Sequence, residues 1–371
     1  MKTYSYKFRI HPITPFHIGN GEEHDPLSLV IKGSKAYFLN PLAYIRYLLK
    51  EDAETLNRNL TISDIKLIHK YFRDAFKPEE ANNYLFSYPV HPAIADDYNR
   101  KMDNLQSEGF IHAFIRSQLS MQPYIPGSSL KGAFRTAVLS NYCTGDTMPN
   151  DRDLDRADRS KQAKLLKYWK TDERNGREYP DIPGDPFKFL KFADTPWSND
   201  WIGIYKVGVE NPPAIAAPRG NPFAPGFKPA LKPIKEPSIP ILMELGLSKT
   251  GRVLDSDLTI AITDPANKGI GLILPAGASD IKQLVSMVKR YYQCQFEKEQ
   301  GFYQRMGDKA LTNYTAIQSM FSNLKDNECM IKLGMGSGQN YCSYAVMNHS
   351  PKTRKMVNYL PLGWMKLSFE L

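Results

Sequence analysis

Residues 123–138 have the sequence PYIPGSSLKGAFRTAV, and this pattern predicts a helix with one buried face. A Pro126-Gly127 turn leads into two serines, and either hydroxyl is suited to cap the first helical turn. Apolar residues then recur at i, i+3, i+4, i+7 and i+8, namely Leu130, Ala133, Phe134, Ala137 and Val138. The core-facing side of this helix is therefore specified by spacing alone.

The polar side of the same helix carries two cations near its start. Lys131 and Arg135 are four residues apart, so their charges repel, and the positive end of the helix dipole adds to that cost. A bound phosphate would reverse both effects, because helix N–H groups, the hydroxyls of Ser128 and Ser129 and both cations would converge on one anion. The alternative is an ordinary capped helix with two solvated basic residues. The helix-weakening Gly132 favours the phosphate site.

The composition is that of a globular protein. The chain has 371 residues, 42% of them hydrophobic, which excludes a disordered or collagen-like polymer and fits two domains or one elaborated domain. The four cysteines, at positions 143, 294, 329 and 342, form no Cys-x-x-Cys pair, so neither a disulfide scaffold nor a structural zinc site is expected. No apolar run reaches the roughly 18 residues of a membrane span. We expect a cytoplasmic protein without metal or cofactor.

Positive charge is concentrated in stretches that lack acids. The chain has 48 Lys and Arg against 39 Asp and Glu, a net charge of +9, yet residues 1–21, 109–145, 211–235 and 329–369 contain no acid. One interpretation is that these stretches are buried strands and a Pro-rich loop. The other is a polyanion-binding track assembled from distant segments. Composition does not decide between them.

The first half of the chain alternates strand and helix patterns. Strands are predicted at 4–10, 28–32, 35–39 and 187–192, and a Gly-rich loop at 17–21 follows the first strand. Asn40 and Pro41 begin a helix whose apolar stripe is Leu42, Ile45 and Leu49. A second helix is predicted from Ser63, with Ile65, Ile68 and Phe72 on one face. The stretch 151–179 is dense in both signs of charge and predicts a solvated helix plus loop.

The second half repeats this alternation. Nine prolines between 212 and 240 exclude a regular helix or central strand and predict a long arm. Strands are predicted within 239–262, at 330–333 and at 364–369, with a second glycine loop at 334–338. A long amphipathic helix follows the cap Asp280, and its buried face is Ile281, Leu284, Val285, Val288 and Tyr292.

Several of these motifs together resemble the RAMP superfamily, the RNA-binding proteins of CRISPR systems. The matching motifs are IPGSSLKG at 125–132 with Arg135-Thr136-Ala137, HIGNG at 17–21, DPFKFLKFAD at 185–194, the glycine loop at 334–338 and PLGWMKL at 361–367. The chain is most similar to the family of fifth subunits of type III-A Csm complexes.

The resemblance implies an α+β fold of two ferredoxin-like (RRM-like) domains with Gly-rich loops and inserted helices. We expect an N-terminal domain at 1–205 and a C-terminal domain at 206–371 that includes the arm at 212–240. The implied role is a non-catalytic subunit that caps the 3′ end of the CRISPR RNA (crRNA) and supports its maturation in antiviral defence. The implied partners are crRNA, the neighbouring Csm backbone subunit, the rest of the complex and, as a further candidate, a maturation nuclease.

The RNA-binding residues that follow from the motifs lie in three segments. They are His17, Gly19, Asn20, Gly21, Ser128, Ser129, Lys131, Arg135, Lys332, Gly334, Gly336, Ser337 and Gly338. Lys131→Ala together with Arg135→Ala is expected to weaken RNA binding without unfolding the chain.

Two other functions remain open from the sequence. An endoribonuclease would need a general acid or base, for which His17, His24 and Asp25 are the candidates. His17 lies between apolar residues and fits packing or base stacking better, and Asp25 precedes Pro26 as a turn residue would. A protein-interaction scaffold without RNA contact would use the Pro-rich arm and the mixed-charge stretch. We therefore expect no catalysis and no catalytic residue.

Overall fold

The computed structural model describes residues 1–62, 64–142, 159–210, 241–248, 252–337 and 354–370. Several predicted features lie outside these ranges. They are the Pro-rich arm at 212–240, the helix start at Ser63, residues 151–158 of the mixed-charge stretch, and Gly338 at the end of the second glycine loop.

The described residues form helices and strands in alternation, which confirms the α+β composition. The helices are α1 (Pro41–Leu60), α2 (Ile65–Ala75), α3 (Pro92–Asp103), α4 (Gly127–Tyr142), α5 (Arg159–Leu165), α6 (Ile270–Ile273), α7 (Lys282–Glu297), α8 (Gln300–Met306) and α9 (Asp308–Ser322). The strands are β1 (Lys2–Pro12), β2 (Glu23–His24), β3 (Leu29–Lys32), β4 (Lys35–Leu39), β5 (Tyr84–Pro89), β6 (Ile111–His112), β7 (Tyr124–Ile125), β8 (Trp169–Thr171), β9 (Glu178–Pro180), β10 (Leu190–Phe192), β11 (Thr195–Pro196), β12 (Ile202–Glu210), β13 (Ile241–Gly246), β14 (Leu254–Ile262), β15 (Glu328–Lys332), β16 (Arg354–Val357), β17 (Leu360–Pro361) and β18 (Trp364–Phe369).

The main sheet has five antiparallel strands in the order β10-β14-β1-β18-β15. Strand β1 runs between β14 and β18, with Phe8 opposite Phe369 and Ile10 opposite Leu367. Along β1 the even positions Phe8 and Ile10 are buried and the odd positions Lys7 and Arg9 are exposed, as the period of two requires. Helices α4 and α7 pack against each other, α4 also against β10 and α7 also against β15. This packing places the start of α4 beside the strand ends.

A second sheet has six strands in the order β17-β16-β12-β13-β6-β2. Its pairs are antiparallel except that β6 runs parallel to β13. The predicted domain boundary between residues 205 and 206 falls inside β12. The main sheet also joins β1 and β10 from the predicted N-terminal domain to β14, β15 and β18 from the predicted C-terminal domain.

A smaller lobe is built on the three-stranded sheet β3-β4-β5. Its core, separate from the main core, contains Tyr37, Tyr44, Leu48, Phe72 and Phe76. The helix after Asn40 is confirmed, and the Asn40 side chain accepts a hydrogen bond from the Ala43 N–H. Its predicted buried stripe is wrong, because the buried residues of α1 are Tyr44, Leu48 and Leu56 while Leu42, Ile45 and Leu49 face solvent.

Most other predicted elements are confirmed with adjusted ends. The buried faces predicted for α4 and α7 are those observed. Ser63 is outside the described residues, and the side chain that caps α2 is that of Asp64. The strand predicted at 187–192 is wrong in its first half, where Pro186–Phe189 form a 3-10 turn. Asp185 favours this turn because its side chain accepts a hydrogen bond from the Phe187 N–H, and only Leu190–Phe192 continue as β10.

The described ranges contain neither a bilayer-spanning helix nor a cluster of metal-binding side chains. None of the helices found there combines the length and apolar character that crossing a bilayer requires. The same ranges contain no group of three or more His, Cys, Asp or Glu side chains arranged to hold a metal ion.

Candidate nucleic-acid interface

A groove of about 580 Å³ opens where the loop after β1, helix α4, helix α7 and the end of β15 meet. Seven of the thirteen predicted RNA-binding residues line it, namely His17, Gly19, Gly21, Ser129, Lys332, Gly334 and Ser337. Nine further lining residues were not predicted, namely Ile18, Glu22, His112, Gly132, Ala133, Thr136, Tyr292, Leu333 and Met335. The groove therefore brings together segments that lie more than 300 residues apart in the chain.

The two glycine loops touch directly at the groove wall. The Met335 N–H donates a 2.8 Å hydrogen bond to the His17 carbonyl oxygen. The preceding residue, Gly334, has a φ of +73°, and a Cβ there would lie 2.0 Å from the same His17 carbonyl oxygen. Only glycine fits, because any other residue would meet both the left-handed backbone penalty and a backbone clash. The glycine pattern of the sequence thus has a structural cause in loop-to-loop contact.

His17 is buried at the base of the groove. Its Nδ1 lies 2.8 Å from the Glu244 carbonyl oxygen, and because a carbonyl only accepts, Nδ1 is the donor. Burial lowers the pKa of His17 below its ordinary value, so the ring is neutral near pH 7 and Nε2 is an acceptor. The ring also makes an edge contact with Phe114. The packing role predicted for His17 is confirmed, and the ring still borders the groove.

Lys332 is the buried cation of the groove. Its side chain ends 5.6 Å from the centre of the Trp364 ring. Burial lowers the pKa of Lys332 to about 8, and the opposing influence of Glu299 limits the fall. At pH 7 the amine therefore keeps its positive charge in most molecules. Among the described residues that line the groove, Glu22 is the one carboxylate.

Helix α4 begins before the two serines that were predicted to cap it. The helix starts at Gly127, so Ser128 and Ser129 lie in its first turn, and the predicted serine cap is wrong. The Gly127 N–H instead donates to the Asp194 carboxylate at 2.7 Å. A Cβ at Gly127 would lie 2.0 Å from the Phe192 carbonyl oxygen, so only glycine allows this close approach. The anion at the start of α4 is therefore Asp194 of the chain itself.

The two cations of α4 do not converge on the groove. Arg135 donates two hydrogen bonds to the Asp185 carboxylate, at 2.8 and 3.0 Å, and one to the Tyr168 hydroxyl at 2.9 Å. Its guanidinium also lies 5.1 Å from the centre of the Phe187 ring. The alternative of a solvated Arg135 is thus excluded, because its guanidinium pairs with the carboxylate of Asp185, 50 residues away. Lys131 is half-buried, and it is not among the groove-lining residues.

The remaining predicted site residues lie beside the groove. Asn20 and Ser128 are exposed, and the Asn20 side chain accepts a hydrogen bond from the Glu22 N–H, which closes the first loop. Gly336 has a φ of +87° with open space where a Cβ would stand. Gly338 is outside the described residues. Ser129 is the serine of the pair that faces the groove.

A buried carboxylate behind His17 was missed by sequence reasoning. Glu244 is fully buried in β13 and accepts hydrogen bonds from Arg116 at 2.9 Å, the Phe114 N–H at 2.8 Å and Tyr88, with His24 Nε2 at 3.2 Å. Burial alone would raise the pKa of Glu244, but the His24 hydrogen bond and the Arg116 charge outweigh it and lower the pKa to about 2. The available signal was a single acid in the apolar run ILMELG at 241–246.

The exposed face of the main sheet has a different character from the groove. Arg9 lies 3.7 Å from Asp255 and 3.2 Å from Glu370, and Lys366 lies 3.2 Å from Glu328. RRM proteins stack RNA bases on aromatic rings of this face. On β1 the corresponding side chains are instead Thr3, Ser5, Lys7 and Arg9, so the groove is the better candidate for RNA.

Asp25, a candidate for catalysis, is occupied by its own turn. Its carboxylate accepts hydrogen bonds from the Leu27 N–H, the Ser28 N–H and the Ser28 hydroxyl. The turn role predicted for Asp25 is confirmed by these bonds. The side chain is not among those that line the groove.

Comparison with protein families and curated proteins finds CRISPR proteins. The model of the RAMP superfamily matches residues 9–249. The chain is 26% identical over 211 residues to the CRISPR system Cms protein Csm5 of Streptococcus thermophilus, a match that covers 53% of each chain. It is 28% identical over 195 residues to the Csm5 protein of Methanocaldococcus jannaschii, covering 49% of this chain and 41% of that protein. The matches thus span about half the length of these relatives.

Solved structures of similar fold cover nearly the whole chain. One is a chain of a cryo-EM structure of a type III-A Csm–crRNA–target RNA ternary complex, with a TM-score of 0.65 and 18% identity, covering 98% of this chain and 100% of that one. Another is the crystal structure of T. onnurineus Csm5, with a TM-score of 0.61 and 19% identity, covering 96% and 99%. At these identities the likeness establishes the fold.

Proposed function

The chain belongs to the RAMP superfamily, and on that premise we propose that it is a non-catalytic, RNA-binding subunit of a type III-A Csm complex. Its groove would hold the 3′ end of the crRNA, and the chain would contact the adjacent backbone subunit. The similarity to Csm5 proteins and the fold shared with a chain of a Csm–crRNA–target RNA complex support this role. We also propose that the fold contains two ferredoxin-like units and that the chain supports crRNA maturation in the cytoplasm.

The observation that carries the proposal is the groove itself. Three stretches with RAMP motifs, distant in sequence, form its walls, and the Met335–His17 hydrogen bond joins two of them. The wall offers the hydroxyls of Ser129 and Thr136 and the cation of Lys332. Hydroxyls and a cation suit phosphate oxygens, and the neutral His17 ring suits a ribose hydroxyl as an acceptor. These groups match the backbone of RNA better than they match a base edge.

The structure suggests how to block the groove without unfolding the chain. A Cβ at Gly132 meets no atom within 4 Å, so Gly132→Leu adds bulk to the groove and also replaces a poor helix former. Gly301→Leu is the matched control, because Gly301 is also helical with open space around it and lies outside the groove. Single-stranded RNA carrying the repeat-derived 3′ end is the probe.

We expect Gly132→Leu to weaken RNA binding at least about tenfold and Gly301→Leu to leave it unchanged. Wild-type affinity should also fall steeply between 50 and 200 mM salt, since phosphate contacts release counterions. Equal affinity of the two variants would refute the groove assignment. Flat salt dependence would favour the scaffold alternative.

The role at the 3′ end needs the assembled complex. Ultraviolet crosslinking of the purified complex, mapped to peptides and nucleotides, is expected to join the 3′-terminal nucleotides to residues 17–22, 129–136 or 332–337. Crosslinks from these segments only to the 5′ end would contradict the capping role.

The absence of catalysis is tested separately. We expect the purified chain to leave repeat and target RNA intact, because His17 is held by a carbonyl and Asp25 by its turn. Cleavage that His17→Ala or Asp25→Ala abolished would establish the endoribonuclease alternative.

A further inference from the structure

Helix α1 exposes an apolar ridge that the core of its lobe does not use. Leu42, Ile45 and Leu49 are 71%, 42% and 47% exposed and follow the i, i+3, i+7 spacing of one helix face. Over about two turns they form a ridge roughly 10 Å long. The opposite side of α1 packs into the lobe through Tyr44 and Leu48. The helix therefore has two apolar faces, and only one of them is covered.

The exposure is concentrated in this lobe. The lobe also exposes four other large apolar side chains, namely Leu60, Ile65, Leu67 and Leu85. Single exposed leucines are ordinary on protein surfaces, but a contiguous exposed ridge marks an interaction site. Neither this ridge nor its helix borders the groove proposed for RNA.

Both charged residues within the ridge segment, between Pro41 and Lys50, are cations. Between Pro41 and Lys50 the charged residues are Arg46 and Lys50, both exposed. In the part of the chain that the structure describes, neither lies in an ion pair, whereas Glu51 one residue further is paired with Lys77 at 3.1 Å. Arg46 and Lys50 flank the apolar ridge, so a covering surface would complement both features if it carried acids around an apolar centre.

We propose that this ridge docks an amphipathic helix of another protein, with apolar residues at i, i+3, i+7 and carboxylates opposite Arg46 and Lys50. A helix is the occupant because a two-turn ridge packs into the groove of a second helix at the usual distance of 8–10 Å. A second copy of this chain fits worse. When two such ridges pack against each other, in parallel or antiparallel orientation, the two Arg46 side chains come close together and their charges repel. RNA fits worse too, because its phosphates would face leucine and isoleucine.

The proposal rests on the proposed function, because the candidate partners are the other subunits of the Csm complex. It is therefore tested in the assembled complex. Ile45 is replaced by the photocrosslinker p-benzoylphenylalanine, the tagged full chain is co-expressed with the other Csm subunits and crRNA, and crosslinked peptides are identified by mass spectrometry. We expect crosslinks to a helical segment of another subunit that carries the stated apolar and acidic pattern. Crosslinks only to RNA or to a second copy of this chain, or none in an intact complex, would overturn the proposal.

Charge variants give an independent readout. Arg46→Glu with Lys50→Glu is expected to lower incorporation of the chain at least tenfold at low salt, and Leu42→Ser with Leu49→Ser to do the same. The matched controls are Arg58→Glu for charge and Leu119→Ser for an exposed leucine, since both residues are exposed and lie off the ridge. Incorporation of the ridge variants at wild-type levels would overturn the proposal.

Measurements of RNA binding and of the oligomeric state of the free chain distinguish docking of another protein from RNA contact and from dimerisation. The ridge variants are expected to bind RNA as wild type does, because the groove is elsewhere. If they also lost RNA binding, the ridge would be part of the RNA interface and the docking proposal would be wrong. If wild type were a dimer that Leu42→Ser with Leu49→Ser dissolved, the occupant would be a second copy.

Discussion

At the residue scale, Glu244 holds together the elements that lie behind the groove. Its carboxylate is fully buried, yet it stays charged because Arg116, His24, Tyr88 and a backbone N–H surround it. The carbonyl of the same residue orients His17. The side chain thus joins β13 to β2, β5 and the segment after β6, while its backbone sets the tautomer of a groove residue. A buried ion pair of this kind is costly to break from one side only.

Replacing this carboxylate gives the first prediction at the residue scale. Glu244→Gln leaves the Arg116 charge buried without its counter-charge and should lower the free energy of unfolding by about 3 kcal/mol at pH 7. Because the folded pKa of Glu244, about 2, is below its ordinary value, its stabilisation is present above pH 5 and lost as the pH falls toward 2. Chemical denaturation from pH 7 to pH 3 should therefore give a flatter profile for the variant.

The control for this prediction is a carboxylate at the surface. Asp255→Asn removes a side chain that is 90% exposed, so it should leave both stability and pH profile unchanged. A Glu244→Gln profile as steep as that of wild type would show that other groups cause the acid sensitivity.

At the scale of the element, α4 has the buried face that its sequence predicts, but its start and its capping group differ from the prediction. The buried face follows from spacing, so Leu130, Phe134 and Val138 are in the core as predicted. The partners of its polar groups come from elsewhere in the chain. Asp194 accepts a hydrogen bond from the first N–H of the helix, and Asp185 forms an ion pair with Arg135. Both carboxylates belong to DPFKFLKFAD at 185–194, so these contacts join the two motifs in the folded chain.

The two cations of α4 should therefore differ in their effect on stability. Arg135→Ala removes two charged hydrogen bonds and a ring contact, and should lower the free energy of unfolding by about 2 kcal/mol. Lys131→Ala is the matched control on the same helix and should cost clearly less. Urea unfolding of both variants, with Asp185→Asn for a double-mutant cycle, measures the difference. Equal losses for the two would show that the Asp185 pair adds nothing.

This difference also changes how α4 contributes to RNA binding. A joint Lys131→Ala and Arg135→Ala variant mixes a stability effect with any loss of affinity. Ser129, Gly132 and Thr136 face the groove instead, so substitutions there report on RNA with less disturbance of the fold.

At the scale of the whole molecule, the two ends of the described chain meet in one sheet. Strand β18 lies between β1 and β15 and contributes Trp364, Met365, Leu367 and Phe369 to the core. The same closure brings the glycine loop after β15 against the loop after β1, with Gly363 N–H bonded to the Pro15 carbonyl oxygen. The groove therefore exists only when the sheet is complete.

Removing this strand is the whole-molecule prediction. A chain ending at Gly363 should lack a cooperative thermal transition, because β1 and β15 lose their shared partner and the core loses four buried side chains. Near-ultraviolet circular dichroism and limited proteolysis provide the measurement. A chain starting at Tyr4 is the control, since the residues removed are exposed. A cooperative transition in the chain ending at Gly363 would show that the main sheet folds without β18.

Features that depend on residue spacing along one element could be predicted from the local sequence. The buried faces of α4 and α7, strands β1 and β18 and the two glycine loops follow from local periodicity and turn chemistry. Spacing is not sufficient for α1, where Leu42, Ile45 and Leu49 form one helical stripe and Tyr44 and Leu48 another. Only the packing of the lobe decides which of them is buried.

Contacts between groups that are distant in the chain depend on how the whole chain folds. Glu244 with Arg116, Arg135 with Asp185, and Gly334 with His17 are pairs that no local pattern connects, because their separation in the chain carries no information about their contact. Seven predicted site residues line the groove because closure of the sheet brings their loops together. Arg135 is not among them, and its guanidinium pairs with the Asp185 carboxylate. Local physics specifies the elements, and long-range electrostatics and packing assemble the site from them.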